Sequence, residues 1–237
     1  MGTTYNVKII DKISLDYYEE INSSITNLLN YYNNQMSTWI EDSEINKFNN
    51  LNSLQYHTVD SELYNVVLKS LRISELSNGY YDPTIQPIYD LWGFGSGSTQ
   101  YEIDNFPNIL LISNKLDQIG YKKININEDN FNQLQKKDIN ITLNLGGIAK
   151  GSAADRIIYL LSGKQSQKYN LEISNGDKII PKYNFKNIYA DIGGDVSVIG
   201  TNPDNLPWKI GIQMPSSSLF NINDLYGIIS ITNGSFA

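Results

Sequence analysis

The segment best suited to chemistry is Asn144-Leu-Gly-Gly-Ile-Ala-Lys-Gly-Ser-Ala-Ala-Asp155, where a strand-like run enters a glycine-rich turn and then a helix. Glycines there let backbone N–H groups approach an anion closely, the helix N-terminus adds partial positive charge, and Lys150 adds a full one. A phosphate suits such a turn. The same residues also suit a tight strand-to-helix connection with a solvated lysine, and their spacing matches neither a Walker loop nor a Rossmann fingerprint. A second segment runs from Gly79 to Gly95 and carries Tyr80, Tyr81, Tyr89, Trp92 and Phe94 beside Asp82 and Thr84. Its two prolines are read as barring it from regular structure. Tyr89, Trp92 and Phe94 read as core, whereas Tyr80, Tyr81 and Asp82 read as the wall of a pocket for a planar ligand.

Two further segments combine aromatic, glycine and carboxylate residues. Met36 to Asn49 joins a helix end to a polar turn and a short helix capped by Ser43 or Asp42, with Trp39 at the junction either stacking on a ring or plugging the core. Ala190 to Asp204 reads as two strands meeting at a Gly193-Gly194 kink or bulge. Asp191 and Asp195 beside it are either metal-facing carboxylates or, more ordinarily, solvated or capping ones. His57 is the only histidine and lies outside all four segments, which leaves a Ser-His-Asp hydrolase without support.

Composition narrows the classes further. A formal net charge of −7 opposes attraction to nucleic-acid phosphates or anionic lipid, so no nucleic-acid partner is expected. Cysteine is absent, which removes disulfides, thiolate catalysis and cysteine zinc sites from this stretch. No apolar run is long enough to span a bilayer, and Met1 is followed at once by strand-like residues rather than by a signal peptide.

The elements that must position these residues alternate without a linker or repeat, so residues 1–237 read as one domain. Leu15, Tyr18, Ile21, Ile25, Leu28, Leu29, Tyr32 and Met36 recur at helical spacing. A second helix begins at the N-cap Asp60, with Val59 and Tyr64 placed as a hydrophobic staple, and ends at Gly79. A third starts near Gly151 with Ala154, Ile157, Ile158 and Leu161 inward. Strands are expected at 4–10, 109–112, 122–126, 139–145, 188–192, 196–199, 208–213 and 225–232. The last of these, close to Ala237, reads as a cut through a domain.

Taken in order, these blocks resemble the FAD:protein FMN transferase family, also called the ApbE family. The resemblance covers the whole chain: Met1-Gly-Thr3; Ser37-Thr-Trp39, Asp42-Ser-Glu44 and Phe48-Asn49; Asp82-Pro-Thr84 and Trp92-Gly-Phe-Gly95; Gly146-Gly-Ile-Ala-Lys-Gly151 with Asp155; Gly193-Gly-Asp195; and Pro207-Trp208. Where the family usually has aspartate this chain has Asn144, and Ser152 stands where an aromatic residue is common.

The resemblance implies an α+β fold of mixed antiparallel sheets with flanking helices, ApbE-like and T-fold-like, incomplete at the C-terminus. It implies an enzyme that cleaves FAD with bound Mg2+, passes FMN to a Thr or Ser hydroxyl of an acceptor flavoprotein, and releases AMP. Met1, Trp39, Tyr80, Tyr81, Asp82, Lys150 and Arg156 would contact FAD, and Ala153 would offer the metal its backbone carbonyl. The catalytic base and the metal's side-chain ligands would lie beyond Ala237, so the chain as given is expected to lack full activity. Export and membrane association, with the signal outside this chain, is the compartment implied for a bacterial member. A FAD diphosphatase of the same family and a non-catalytic flavin-binding module remain the alternatives.

Overall fold

The computed structural model describes residues 2–95, 106–127, 129–164, 181–214 and 225–237. They fall into two compact units: one holds the described residues within 27–149, the other those of 2–26, 150–164, 181–214 and 225–237. Helix α1 (Leu15–Met36) contributes residues to both. Ile21, Ile25, Leu28, Leu29, Tyr32 and Met36 form its buried stripe at the expected spacing, whereas Leu15 and Tyr18 are exposed.

In the first unit the later half of α1 is followed by α2 (Glu44–Asn49), β2 (His57–Thr58), α3 (Ser61–Leu76), α4 (Gln86–Leu91), α5 (Ile109–Leu116), β3 (Ile124–Ile126) and β4 (Gln133–Lys136). Ser43 caps α2 by accepting from the Asn46 amide. Asp60 caps α3, its Oδ1 accepting from the Glu62 amide at 2.9 Å, and α3 closes where the Gly79 amide donates to Ser74 O at 2.8 Å. A small antiparallel sheet has the order β2-β4-β3. Neither β2 nor β4 is legible as a strand, because β2 is two residues long and β4 is largely Gln and Lys.

Several local expectations change here. Residues 109–112 are helical, not extended: Asn108 Oδ1 accepts from the Leu110 amide at 2.9 Å, and this cap decides an Ile-Leu-Leu-Ile run that periodicity alone leaves ambiguous. Of residues 122–126 only 124–126 form a strand, after a 3-10 turn at Tyr121–Lys123. The Gly79 to Gly95 segment does contain regular structure, since Pro87 sits in the first turn of α4, where a missing amide costs nothing. Residues 139–145 form no ladder, although Ile141, Leu143 and Leu145 are all buried.

The second unit holds β1 (Tyr5–Ile9), α6 (Ala149–Ser162) from Lys150 onward, β5 (Ile188–Ile192), β6 (Asp195–Ile199), β7 (Trp208–Gln213), β8 (Leu225–Ile231) and β9 (Gly234–Phe236). Its main sheet is antiparallel in the order β1-β5-β6-β9, and β7 and β8 form a separate antiparallel ribbon. Val196, Val198, Trp208 and Ile210 make a buried cluster, with the Trp208 indole N–H donating to Ile199 O at 3.1 Å. Ala154, Ile157, Ile158 and Leu161 of α6 are wholly buried, as expected. Gly193 and Gly194 form neither a kink nor a bulge. They are the two-residue turn of the β5–β6 hairpin, with φ of 58° and 97°, conformations that favour glycine. The α+β class with antiparallel sheets is therefore the observed one.

Candidate functional site

In the first unit the site begins with the loop after α3. Asp82 Oδ1 accepts from the Thr84 amide at 2.8 Å and from Thr84 Oγ1 at 2.6 Å, while Oδ2 accepts from the Tyr121 amide at 2.9 Å. Thr84 Oγ1 in turn accepts from the Gly120 amide at 2.7 Å. An Asp-Pro-Thr sequence is suited to this, because a short carboxylate can bond the backbone two residues on while proline fixes the intervening φ. The carboxylate is thus largely occupied in holding its loop. Tyr81 is half-buried, its hydroxyl 3.3 Å from Ser70 Oγ and its amide donating to Ser77 Oγ at 3.1 Å. Burial pushes the Tyr81 phenol up, with the Ser70 hydrogen bond pulling the other way.

Tyr80 and Trp39 are open to solvent, at 97% and 66% exposure, so Trp39 does not plug the core and both rings are free to meet a planar ligand. The core reading of Tyr89, Trp92 and Phe94 is overturned. Helix α4 buries no residue and Phe94 is 61% exposed; the Tyr89 and Phe94 rings lie 5.4 Å apart, and Trp92 meets Phe106 at 5.7 Å.

The approach to the glycine-rich turn lies in the same unit. Asn49 donates from Nδ2 to Leu143 O at 2.9 Å and accepts at Oδ1 from the Leu143 amide at 2.7 Å, so its side chain stands in for a neighbouring strand. The Asn144 amide donates to Pro83 O at 2.6 Å, and its Nδ2 donates to Gln86 Oε1 at 2.7 Å. Asn144 Oδ1 accepts from the Gly146 amide at 2.8 Å. An aspartate at 144 would keep that last bond and lose the donor that Gln86 requires. A side chain on Gly147 would come within 3.3 Å of Tyr81 Cε2, which accounts for the glycine by close approach.

In the second unit α6 carries Lys150 in its first turn. Its ammonium lies 3.5 Å from Asp195 Oδ1 and 3.5 Å from Gly193 O. A Cβ on Gly193 would stand 2.6 Å from Thr3 Oγ1, so Thr3, the Gly-Gly hairpin and Lys150 converge within this unit. Asp191 takes the capping role weighed for it, its Oδ1 accepting from the Gly194 amide at 2.9 Å. Asp155 had no role assigned. Its Oδ1 accepts from Ser197 Oγ at 2.8 Å and Ser235 Oγ at 2.7 Å, tying α6 to β6 and β9; its place one helical turn after Gly151 was the available signal. Arg156 is buried with its guanidinium 5.6 Å from the Tyr159 ring, about 120° around the helix from Lys150. Ala153 is buried between them. Among the described residues no group of three or more His, Cys, Asp or Glu could hold a metal ion. Met1 lies outside the described residues.

The model of the ApbE family matches residues 1–178 and 175–237, which takes in both units. The chain belongs to the ApbE family. The FAD:protein FMN transferase of Vibrio cholerae is 28% identical over 225 residues, covering 95% of this chain and 60% of that protein. Its counterpart in Buchnera aphidicola subsp. Baizongia pistaciae is 30% identical over 234 residues, covering 98% and 61%. The chain thus spans about 60% of the length of these relatives. The structure of the flavin transferase ApbE from Vibrio cholerae superposes with a TM-score of 0.77 at 28% identity, covering 99% of this chain and 67% of that one. The ApbE protein of Thermotoga maritima gives 0.72 at 26% identity, covering 99% and 66%. The ApbE fold is accordingly the fold of this chain, and no helix among its described residues is long and apolar enough to cross a membrane.

Proposed function

We propose that this chain carries the flavin-handling part of a FAD:protein FMN transferase, which moves FMN from FAD to a Thr or Ser hydroxyl of a partner flavoprotein and releases AMP. Both units are read as parts of one transferase domain. The observation that carries the reading is the convergence, in the second unit, of Thr3, the Gly193-Gly194 hairpin, Asp195 and Lys150. The transferase names of the 28% and 30% identical relatives support it independently.

In such a transfer the acceptor oxygen forms a bond to the FMN phosphorus and the P–O bond to the AMP phosphate breaks. AMP leaves with the bridging oxygen, and the hydroxyl proton passes to a base or to solvent. Lys150 at the start of α6 offsets charge on the diphosphate, sharing its ammonium with Asp195. Trp39, Tyr80 and Tyr81 offer aromatic surface to the flavin ring, Asp82 shapes that loop, and Met1 and Arg156 complete the contacts implied by resemblance. Mg2+ on the diphosphate would supply Lewis-acid polarisation, and the Ala153 carbonyl is one hard oxygen suited to it. Ala153 is wholly buried inside α6, so its carbonyl alone would not hold the ion, which would rest mainly on phosphate oxygens, water and carboxylates outside the described residues.

The test is AMP release from FAD by the full-length protein in Mg2+ and in excess chelator, with a threonine-bearing flavoprotein present. Metal-dependent AMP with flavin covalently on the acceptor is expected. Free FMN would shift the reading to a diphosphatase, and the absence of FAD binding under both conditions would overturn it.

A further inference from the structure

Lys136 is 1% exposed, an unusual place for an ammonium, and the transfer reaction as described gives it no task. Its Nζ donates to Asn49 O at 2.8 Å and to Ile139 O at 3.1 Å and lies 5.8 Å from the Phe48 ring centroid. Asn49 is the last residue of α2, where a cation complements the exposed carbonyls of a helix end. Burial draws the Lys136 ammonium below the ordinary lysine pKa, and Asp138 pulls it back.

From Asn49 a continuous set of bonds leads to the glycine-rich turn. The Asn49 amide holds Leu143 by both backbone groups; Asn144, next along, holds the Gly146 amide; and Leu145 O accepts from the Ile148 amide at 3.0 Å and the Ala149 amide at 2.8 Å. Among the described residues no strand pairs with 141–145, and Asn49 and the Pro83 carbonyl bond this segment instead. Lys136 fixes the orientation of Asn49 by anchoring its carbonyl.

We propose that Lys136 is a positioning residue for the glycine-rich turn: through Asn49 it sets where Gly146 to Ala149 meet an anionic diphosphate ligand. The assignment rests on the flavin reading of that turn. A buried charge is destabilising unless its donors are satisfied, and here two carbonyls and an aromatic face satisfy them at one hub. An apolar residue of similar volume would fill the space and leave both carbonyls unpaired.

The absence of cysteine makes a clean experiment possible, because Lys136→Cys would be the only thiol in the chain. Alkylated while unfolded with bromoethylamine and refolded, it regains an ammonium at nearly the original reach; with iodoacetamide it gains a neutral amide. Hydrogen exchange of the Leu143, Asn144 and Gly146 amides is read beside FAD affinity. The neutral adduct should speed exchange at those amides at least 10-fold relative to α3 amides and weaken FAD binding about 10-fold; the aminoethyl adduct should restore both. Lys136→Met, which fills the same space without the charge and leaves the Asn49 side chain in place, should reproduce the local exchange change if the cysteine variants refold poorly. Unchanged exchange at 143–146, or a rise shared equally by α3, would overturn the assignment as merely structural. A wild-type protein that binds no FAD would instead sink the flavin reading, while the exchange data still decide the role of Lys136.

Discussion

The two Gly-Gly pairs, 146–147 in the first unit and 193–194 in the second, look alike in sequence and are required for different reasons. Gly193 and Gly194 turn a hairpin with positive φ at both positions, so a side chain there is strained by the backbone itself. Gly146 and Gly147 do not share that conformation. A Cβ on Gly147 would press on the Tyr81 ring at 3.3 Å, closer than an ordinary contact. One pair is a matter of chain conformation and the other of space beside a candidate ligand loop. Stability and ligand affinity should therefore respond separately to the two.

Gly193→Ala should be the most damaging change, since it combines positive φ with a Cβ 2.6 Å from Thr3 Oγ1. A loss of about 2–4 kcal/mol in denaturant unfolding is expected from the strain and overpacking together. Gly194→Ala isolates the conformational part, because no atom lies within 4 Å of its Cβ; about 1–2 kcal/mol is expected. Equal losses from the two variants would show that Thr3 yields freely.

Gly147→Ala should cost about 1 kcal/mol or less, because the ring need shift by only a few tenths of an ångström, yet it should weaken FAD binding by displacing Tyr81. Flavin fluorescence titration measures this, and unchanged affinity would remove Tyr81 from the ligand wall. Lys150→Ala should leave the melting temperature nearly unchanged, since its pair with Asp195 is long and partly solvated, while lowering FAD affinity about 10-fold. A collapse of stability with intact affinity would mark the turn as structural only.

Alkaline pH separates the units by sign. In the second, burial and then Asp191 raise the Tyr189 phenol from 10.0 to about 12, so the stability it contributes is present below pH 10 and declines as pH rises through that window. In the first, Lys136 has a folded pKa below 10.5, so the unfolded chain binds the extra proton and stability rises with pH up to that value. Tyr189→Phe should flatten the first trend and the neutral adduct at position 136 the second, as followed by unfolding at a series of pH values.

What the sequence made legible was whatever is encoded locally. The stripe of α1 and the Asp60 cap of α3 needed no tertiary information, and the β-branched residues of β5, β6 and β7 announced strands. Residues 139–145 show the boundary. Their alternation of buried residues was readable, but the group bonded to Leu143 is a side chain from nearly a hundred residues away, and alternation reports burial rather than a ladder. Helix α5 reads as a strand over 109–112 in sequence because its apolar run outweighs the Asn108 cap. At the site, glycines and charges were identified by type. The occupation of Asp82 by Thr84 and Tyr121, and the pairing of Lys150 with Asp195, depend on folded geometry.

The pairing of β1 with β5 also governs when the main sheet can be completed. Tyr5 faces Ile192 and Ile9 faces Ile188, so β1 waits for a partner made some 180 residues later. At roughly 5–20 residues per second that interval is on the order of ten to forty seconds of translation. Once made, β5 and β6 can close across their two-residue turn in about 1–10 μs, presenting the edge to which β1 adds. Strand β1 is thus seated long after it is made, and until then Val7 and Ile9 are apolar residues of an unpaired strand that a chaperone could hold.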